Sequence, residues 1–120
     1  MSSNLALLSA VANGLDYANV FVYQLSRLGD NGDVLVTIST SGNSENVVRA
    51  LRWARKNGLT TIFLTGFDGG RTAEEADINV HVAADNYGVI EDAHQCLMQV
   101  LAQYIRLHSM PREKIAETLF

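Results

Sequence analysis

Residues 33–57 constrain the fold more than any other part of the sequence, and they read DVLVTISTSGNSENVVRALRWARKN. The stretch opens with a short β-branched run that lacks polar alternation, which predicts a strand buried on both faces of a parallel sheet. It continues with apolar residues at helical spacing, which predict an amphipathic helix: Val47, Ala50, Leu51 and Ala54. A loop of small polar residues therefore joins a buried strand directly to a helix.

The loop between this strand and this helix is rich in hydroxyl groups, and its residues are Ser39, Thr40, Ser41, Gly42, Asn43 and Ser44. The first backbone N–H groups of a helix have no partner within the helix, and the helix dipole is positive at that end. Such a loop is chemically suited to bind a phosphate group. A helix cap is the alternative interpretation, in which Ser44 or Asn43 accepts one free N–H and the other hydroxyls have no role.

Other motifs for phosphate binding or nucleophilic catalysis are missing from the sequence. The patterns GxxxxGK[ST] and GxGxxG are absent, which argues against a nucleoside triphosphate loop and a dinucleotide fold. The pattern GxSxG is also absent, which argues against a hydrolase serine. The hydroxyl-rich loop is therefore the most specific functional signal in the chain.

The remaining apolar patterns complete an α/β architecture. Further helices are predicted at 3–13, 17–28, 71–76 and 88–108, and further strands at 60–66 and 77–83. The spacing between the first two strands predicts a right-handed parallel crossover. The third strand alternates apolar and polar residues, which predicts an edge position with His81 pointing to solvent. Residues 109–120 are expected to form a loose tail.

These elements predict one α/β domain over residues 1–120, a three-layer sandwich around a parallel sheet. Ligands of such sheets bind beyond the carboxyl ends of the strands. The loops expected to meet there are 39–44, 66–70 and 83–88. The long helix carries an apolar stripe wider than so small a sheet can bury, and the sheet leaves unpaired edges. Both features predict a homo-oligomer.

Composition and charge narrow the class of protein. Hydrophobic residues make up 48% of the chain, which excludes a disordered segment, and the net charge of −4 argues against nucleic-acid binding. The basic residues of the central helix are interpreted as a solvated face: Arg49, Arg52, Arg55 and Lys56. The single cysteine, Cys96, fits a reducing cytoplasm. The sequence shows no apolar run of membrane-spanning length and no signal peptide, which predicts a cytoplasmic location and no membrane partner.

Two segments resemble the signatures of a known family. GDVLVTISTSGNSENVVRAL resembles the signature of SIS (sugar isomerase) domains, specifically of the phosphoheptose isomerase group, and LTGFDGGRTAEEADINVHV resembles the second signature of that group. The resemblance runs from about Asn4 to His108 and omits the family's usual N-terminal portion. It implies an SIS-like (flavodoxin-like) fold, truncated at the N-terminus relative to the family. It also implies that a sugar phosphate is bound by Ser39, Thr40, Ser41 and Ser44.

The chemistry of an aldose–ketose isomerase needs an acid and a base that move a proton between neighbouring carbons through an enediol. Glu91 and His94, one turn apart near the ligand-side end of the long helix, are the candidate catalytic residues. The alternative is that Glu91 is a first-turn acid favoured by the helix dipole and that His94 is a packing residue. Glu-x-x-His also offers two metal ligands, but one copy leaves a metal site incomplete.

The resemblance also implies changes at the family's own catalytic positions. Gln99 occupies the position of the histidine that serves the family as acid/base and zinc ligand, and Glu91 occupies that of a family glutamine. The family's catalytic glutamate belongs to the portion that this sequence lacks, and its aspartate is absent at Gly14 unless Asp16 substitutes. His94 matches a family histidine. No metal site and no cofactor, zinc included, are therefore predicted.

Two functions stay open at this level. The first is an isomerase that interconverts sedoheptulose 7-phosphate and an aldose heptose 7-phosphate. The alternative is a non-catalytic SIS module that senses a phosphosugar or interacts with another protein. In both cases the expected partners are a phosphosugar and further copies of the chain, as a dimer or tetramer, without nucleic acid.

Overall fold

The computed structural model describes residues 3–118, so the outermost positions of the predicted domain and the end of the predicted tail lie outside the described residues. The helices are α1 (Leu5–Gly14), α2 (Val20–Leu28), α3 (Glu45–Lys56), α4 (Gly70–Glu75), α5 (Tyr87–His108) and α6 (Arg112–Ile115). The strands are β1 (Val34–Ile38), β2 (Thr60–Thr65) and β3 (Ile78–His81). Every helix and strand predicted above is present within these residues, with bounds that differ by a few positions. The predicted tail contains α6.

The strands form a three-stranded parallel sheet in the order β1-β2-β3, so β2 is the central strand. Val34 aligns with Thr60, and Ile62 aligns with Ile78. The predicted parallel crossover and the edge position of β3 are confirmed. Because all three strands run in the same direction, the loops that follow their carboxyl ends lie along one side of the sheet.

One face of the sheet forms the core with α3. Leu35 and Phe63 point to this face, with 5% and 0% of their surfaces exposed. The helix contributes apolar residues spaced three or four apart: Val47, Ala50, Leu51 and Ala54. Burial of a side chain such as leucine or phenylalanine contributes about 1.5–3 kcal/mol. The predicted amphipathic helix is confirmed, and its packing places its first turn directly after the hydroxyl-rich loop.

The opposite face is open at β1, so the prediction that β1 is buried on both faces is wrong. Val34, Val36 and Ile38 are 56%, 47% and 48% exposed. The central strand β2 is much better covered, because Phe63 and Leu64 point to opposite faces and both are fully buried. An uninterrupted apolar run shows that a strand can be covered on both sides. Coverage itself depends on the elements that lie over the strand, and within residues 3–118 none fully covers this part of β1.

The long helix α5 is mostly exposed. Its buried residues are Ile90 and His94, and Ile90 packs against Gly66 at the end of β2. Exposed apolar residues continue along the helix: Val89, Val100, Leu101, Tyr104 and Ile105. The predicted surplus of apolar surface on this helix is therefore present. No helix within residues 3–118 has the length and hydropathy needed to cross a membrane.

Candidate functional site

Residues 39–44, which we call the hydroxyl loop, leave the carboxyl end of β1 and lead directly into α3. The loop is tied to the sheet at its start, because the Ser39 N–H donates to the Leu64 carbonyl at 3.0 Å. The Thr40 carbonyl accepts from the Gly66 N–H at 2.9 Å. These two bonds hold the loop at the side of the sheet where ligands of parallel sheets bind.

Ser44 is the N-cap residue of α3, but its side chain makes no capping hydrogen bond. The Asn43 side chain does not cap the helix either, because its Oδ1 accepts from the Arg71 N–H at 3.1 Å. The capping interpretation of the sequence therefore does not describe this loop. Of the two N–H groups that a cap could satisfy, that of Asn46 has no acceptor among the described residues, whereas that of Val47 donates to the Ser44 carbonyl at 3.0 Å and to Asn46 Oδ1 at 2.9 Å.

Several donors of the hydroxyl loop are unused within residues 3–118. Within the described part of the chain, the backbone N–H groups of Ser41 and Ser44 in the loop have no acceptor, and neither has that of Glu45, the first residue of α3. The hydroxyl groups of Ser39, Thr40 and Ser44 are likewise free of hydrogen bonds to the described chain, whereas Ser41 Oγ accepts from the Asn43 N–H at 3.3 Å. Free N–H groups and hydroxyls at the positive end of a 12-residue helix can bind an anion.

A groove of about 670 Å³ opens at the hydroxyl loop. Its walls are formed by β1 from Leu35 onwards, by the first half of α3, and by the aromatic rings of Phe21 and Tyr87. All four hydroxyl residues of the loop line the groove, whereas Gly42 and Asn43 do not. The volume lies in the range of small-molecule sites.

The two aromatic residues of the groove were not singled out by the sequence patterns. Tyr87 is oriented by an edge-to-face contact with Phe67, whose ring centroid lies 4.7 Å away. Tyr87 belongs to the segment 83–88 that was expected to lie at the ligand-binding side of the sheet, so its place near the groove could have been predicted from the sequence. Phe21 lies on the apolar stripe of α2, where nothing distinguishes a groove residue from a core residue.

The charges near the loop form a chain of ion pairs. Glu45 accepts from Arg49 at 2.9 Å and from Arg71 at 3.1 Å. These two hydrogen bonds hold the pKa of the Glu45 carboxyl below its usual value. Asp16, which was considered as a substitute for a family aspartate, also pairs with Arg49 at 3.2 Å and caps the turn at Ala18. Its carboxylate is therefore engaged in structural contacts.

The other arginines of α3 are paired as well, so the face predicted as solvated carries a half-exposed belt of ion pairs, with Lys56 exposed at the end of the helix. Arg52 binds Glu75 through two hydrogen bonds of 2.8 and 2.6 Å. Arg55 donates to the Glu75 carbonyl and lies 3.7 Å from Asp77. The pKa of Asp77 is lowered chiefly because the Thr61 hydroxyl and the Thr61 N–H donate to its carboxylate. These contacts join α3 to α4 and to the start of β3.

The two candidate catalytic residues differ in accessibility. His94 is 1% exposed and its Nε2 lies 3.1 Å from the Thr65 carbonyl. A carbonyl only accepts, so Nε2 carries the proton, and Nδ1 has no hydrogen-bond partner within residues 3–118. Glu91 is exposed and makes no ion pair with His94. The structure does not bring the two groups together as a bonded pair, and Gln99 is exposed further along α5.

His81 is exposed, as predicted, but it also has a structural contact. Its Nδ1 lies 3.2 Å from the Thr65 hydroxyl, which in turn donates to Asn79 Oδ1 at 2.9 Å. A zinc site needs three or four converging nitrogen, sulfur or oxygen ligands. Residues 3–118 hold no group of three histidine, cysteine, aspartate or glutamate residues arranged for a metal ion.

The fold and the loop together define an α/β domain with a parallel sheet and a helix N-terminus suited to an anion. The sequence pattern of the SIS domain matches residues 1–66, more than half of the 120-residue chain. The chain therefore belongs to the SIS domain family, and the resemblance described above is confirmed.

Relatives and solved structures agree with this assignment. The chain is 37% identical to the phosphoheptose isomerase of Sulfurimonas denitrificans and 40% identical to that of Aliarcobacter butzleri, in each case over 88% of the chain. The structure of a phosphoheptose isomerase from Neisseria gonorrhoeae matches 87% of the chain with a TM-score of 0.84 and 36% identity. One from Francisella tularensis matches 85% with a TM-score of 0.82 and 31% identity.

The matches cover only part of these proteins. The chain spans 54% and 56% of the two curated relatives, and 59% and 55% of the two solved chains. The chain therefore spans just over half the length of the relatives it matches. The SIS-like α/β fold is confirmed over this part.

Proposed function

We propose that the chain binds the phosphate group of a sugar phosphate at the hydroxyl loop. The observation that carries the proposal is the N-cap of α3, where Ser44 leaves its hydroxyl and its N–H unused. N–H groups at a helix N-terminus that no side chain caps bond to water or to a ligand, and the exposed Ser44 can be reached by either. A phosphate dianion accepts several hydrogen bonds and is attracted by the positive end of the helix dipole.

We infer that the phosphosugar is a heptose phosphate and that the site belongs to an isomerase of sedoheptulose 7-phosphate. The relatives and the solved structures described above support this inference, because each is a phosphoheptose isomerase. The groove of about 670 Å³ beside the loop has space for the sugar beyond its phosphate. The proposed reaction at this site is the interconversion of sedoheptulose 7-phosphate, a ketose, with an aldose heptose 7-phosphate.

For proton transfer, Glu91 and His94 are the groups that we propose from this chain. An enediol route needs one group that removes a proton from a carbon and one that protonates the neighbouring carbon or oxygen. The Glu91 carboxylate is exposed near the start of α5, and the unpartnered Nδ1 of His94 is an available base. Because His94 is 1% exposed, its use would require the ring to become accessible. No step is assigned to a metal ion.

The phosphate proposal is tested by calorimetric titration of the chain with sedoheptulose 7-phosphate. Ser41→Ala and Ser44→Ala should each weaken binding about 10–100-fold, because each removes a hydrogen bond to a charged oxygen worth about 1.5–3 kcal/mol. Ser26→Ala is the matched control, since the Ser26 hydroxyl bonds only to the Tyr23 carbonyl on α2. Equal affinity in the wild type and in both loop variants would refute the proposal.

We also propose that the chain assembles as a dimer or tetramer through the apolar side of α5. Val100, Tyr104 and Ile105 are 60%, 66% and 66% exposed, and Val100 and Tyr104 lie one helical turn apart. A second copy of the same helix presents the same surface and can cover it. The grouping of exposed apolar residues on one helix supports self-association, because exposed apolar residues on a monomer are usually scattered singly.

Light scattering of the wild type and of Leu97→Asp/Leu101→Asp tests the assembly. The double variant should be monomeric or unfolded, because two charges would have to be buried in the interface. Gln95→Asp/Gln99→Asp is the matched control, since it adds the same charge to exposed positions of α5 about 200° around the helix. A wild type that is a stable monomer would contradict the proposal.

We infer a cytoplasmic location from the single, exposed Cys96, which fits a reducing compartment. Fractionation of cells that express the chain tests this inference. Recovery with the periplasmic or extracellular fraction would contradict it.

A further inference from the structure

The first turn of α4 contacts the hydroxyl loop from outside the groove. The Thr72 N–H donates to the Gly42 carbonyl at 3.1 Å, and the Arg71 N–H donates to Asn43 Oδ1 at 3.1 Å. A Cβ atom on Gly42 would overlap the Gly69 carbonyl, so the two segments touch at the level of their backbones. The second signature segment of the sequence, which contains these residues, therefore packs directly against the first.

The Arg71 side chain adds a contact to the loop backbone. Its Nη2 donates to the Asn43 carbonyl at 2.7 Å and to Glu45 Oε2 at 3.1 Å. A peptide bond is planar and trans, so the C=O of one residue and the N–H of the next point in opposite directions. With the Asn43 carbonyl held on Arg71, the Ser44 N–H points away from Arg71. That N–H is one of the unused donors, and Ser44 lines the groove.

We propose that Arg71 is a positioning residue that holds the Asn43–Ser44 peptide so that the Ser44 N–H faces a phosphate bound at the hydroxyl loop. This inference rests on the proposed phosphate site. Arg71 does not line the groove, so its effect on a ligand passes through the loop. Donors that are oriented before the ligand arrives bind it more tightly, because no ordering cost is added on binding.

Calorimetric titration with sedoheptulose 7-phosphate tests this role. Arg71→Met removes every side-chain donor and should weaken binding roughly 5–20-fold, because a charge-assisted hydrogen bond that orients the loop is lost. Arg71→Lys keeps a long side chain with N–H donors for the Asn43 carbonyl, and it should stay within about threefold of the wild type. Equal losses in both variants would mean that a donor at this position does not hold the loop, and would overturn the proposal.

Arg52→Met is the matched control for structural loosening. Arg52 also joins α3 to α4, through two hydrogen bonds to Glu75, but it contacts no residue of the hydroxyl loop. Its replacement should leave the affinity unchanged. A loss as large as that of Arg71→Met would show that any α3–α4 contact matters, and would overturn the specific role of Arg71.

The Ser44 amide resonance, measured by NMR without ligand, keeps this test independent of the proposed function. Arg71→Met should shift or broaden this resonance, whereas Arg52→Met should leave it in place. An unchanged resonance in Arg71→Met would overturn the positioning role even if the wild type binds the sugar phosphate. Failure of the wild type to bind, together with a shifted resonance in Arg71→Met, would refute the phosphate site and leave only the contact between Arg71 and the loop.

Discussion

The hydroxyl loop and the first half of α5 bring their polar groups together to different degrees. The loop is one continuous segment, and its hydroxyls line one groove at the first turn of α3. On α5, Glu91 is exposed whereas His94 is 1% exposed and bonded to the Thr65 carbonyl. The described residues therefore bring together a set of unused hydrogen-bond donors but not an acid/base pair.

The difference follows from where the groups lie along the chain. Residues of a single loop come together when the turn and the helix form, so their proximity is a local property. An acid and a base must converge from separate elements, and their proximity depends on the whole fold. Because Glu91 is exposed and His94 is buried against the Thr65 carbonyl, we expect the chain to bind a sugar phosphate better than it transforms one.

The largest expected effect concerns turnover. The purified chain should isomerise sedoheptulose 7-phosphate about 10²–10⁴-fold more slowly than a phosphoheptose isomerase, because the loss of one acid/base group has that effect on rate. Gln99→His should restore little, since it supplies only one group of a pair. A coupled assay, with the Neisseria gonorrhoeae protein as the reference, measures both rates. Clear activity that disappears in Glu91→Gln or His94→Ala would show that α5 does carry a catalytic pair.

The next effect concerns the free energy of unfolding when His94 or Glu91 of α5 is replaced. His94→Ala should lower the free energy of unfolding by about 2–4 kcal/mol, because it empties the space of a fully buried ring. Glu91→Ala, on an exposed position of the same helix, should change it by less than about 0.5 kcal/mol. Urea unfolding of both variants measures the difference. Equal, small effects would indicate that the His94 ring contributes little to packing.

A substitution within the hydroxyl loop probes how tightly the loop is held. Gly42 has a φ of 61°, and its Cβ would overlap the Gly69 carbonyl, so Gly42→Ala should cost about 1–3 kcal/mol of stability. Gly14→Ala is the control, because Gly14 has no neighbour within 4 Å of an added Cβ. It should be neutral or slightly stabilising. A Gly42→Ala protein as stable as Gly14→Ala would mean that the contact with α4 is loose.

The smallest effect is a pH dependence away from the loop. The pKa of Asp77 is lowered in the folded chain by the Thr61 hydroxyl and N–H, so its carboxylate stabilises the fold above its unfolded pKa, near 3.8. This contribution is lost as the pH falls through the lower folded pKa. The stability difference between the wild type and Asp77→Asn should therefore be larger at pH 7 than at pH 3 in urea unfolding. Asp85→Asn, at an exposed carboxylate, is the control, and a difference for Asp77→Asn that does not vary with pH would contradict the assignment.

Much of the fold was predictable because its signals are local. The apolar spacing of α3 and the apolar runs of the strands report on residues a few positions apart, and the structure has these elements where they were expected. The open face of β1 was not predictable from the same signals. By composition, Val34, Val36 and Ile38 of β1 are as typical of a buried strand as the residues of β2. They are half exposed because β1 lies at the edge of the sheet, whereas β2 is central.

The candidate site divides in the same way. The hydroxyl residues from Ser39 to Ser44 were found from the sequence alone, because one short segment contains both the hydroxyls and the start of the helix. The contact of Arg71 with Asn43 joins positions 28 residues apart, and no local pattern indicates it. The ion pairs of Arg49 with Asp16 and of Arg52 with Glu75 also join distant positions, so the sequence predicted a solvated face but not its pairing.

The sequence by itself determined the order strand, hydroxyl loop, helix, and the chemical character of the loop. Both depend on interactions between near neighbours, which every chain with these residues can form. Only the tertiary structure decided that Ser44 is not used as a cap, that Arg71 holds the Asn43 carbonyl, and that His94 is buried. These outcomes depend on which distant segments meet when α4 and α5 fold against the end of β2, and the free energy of those contacts has no counterpart in local sequence.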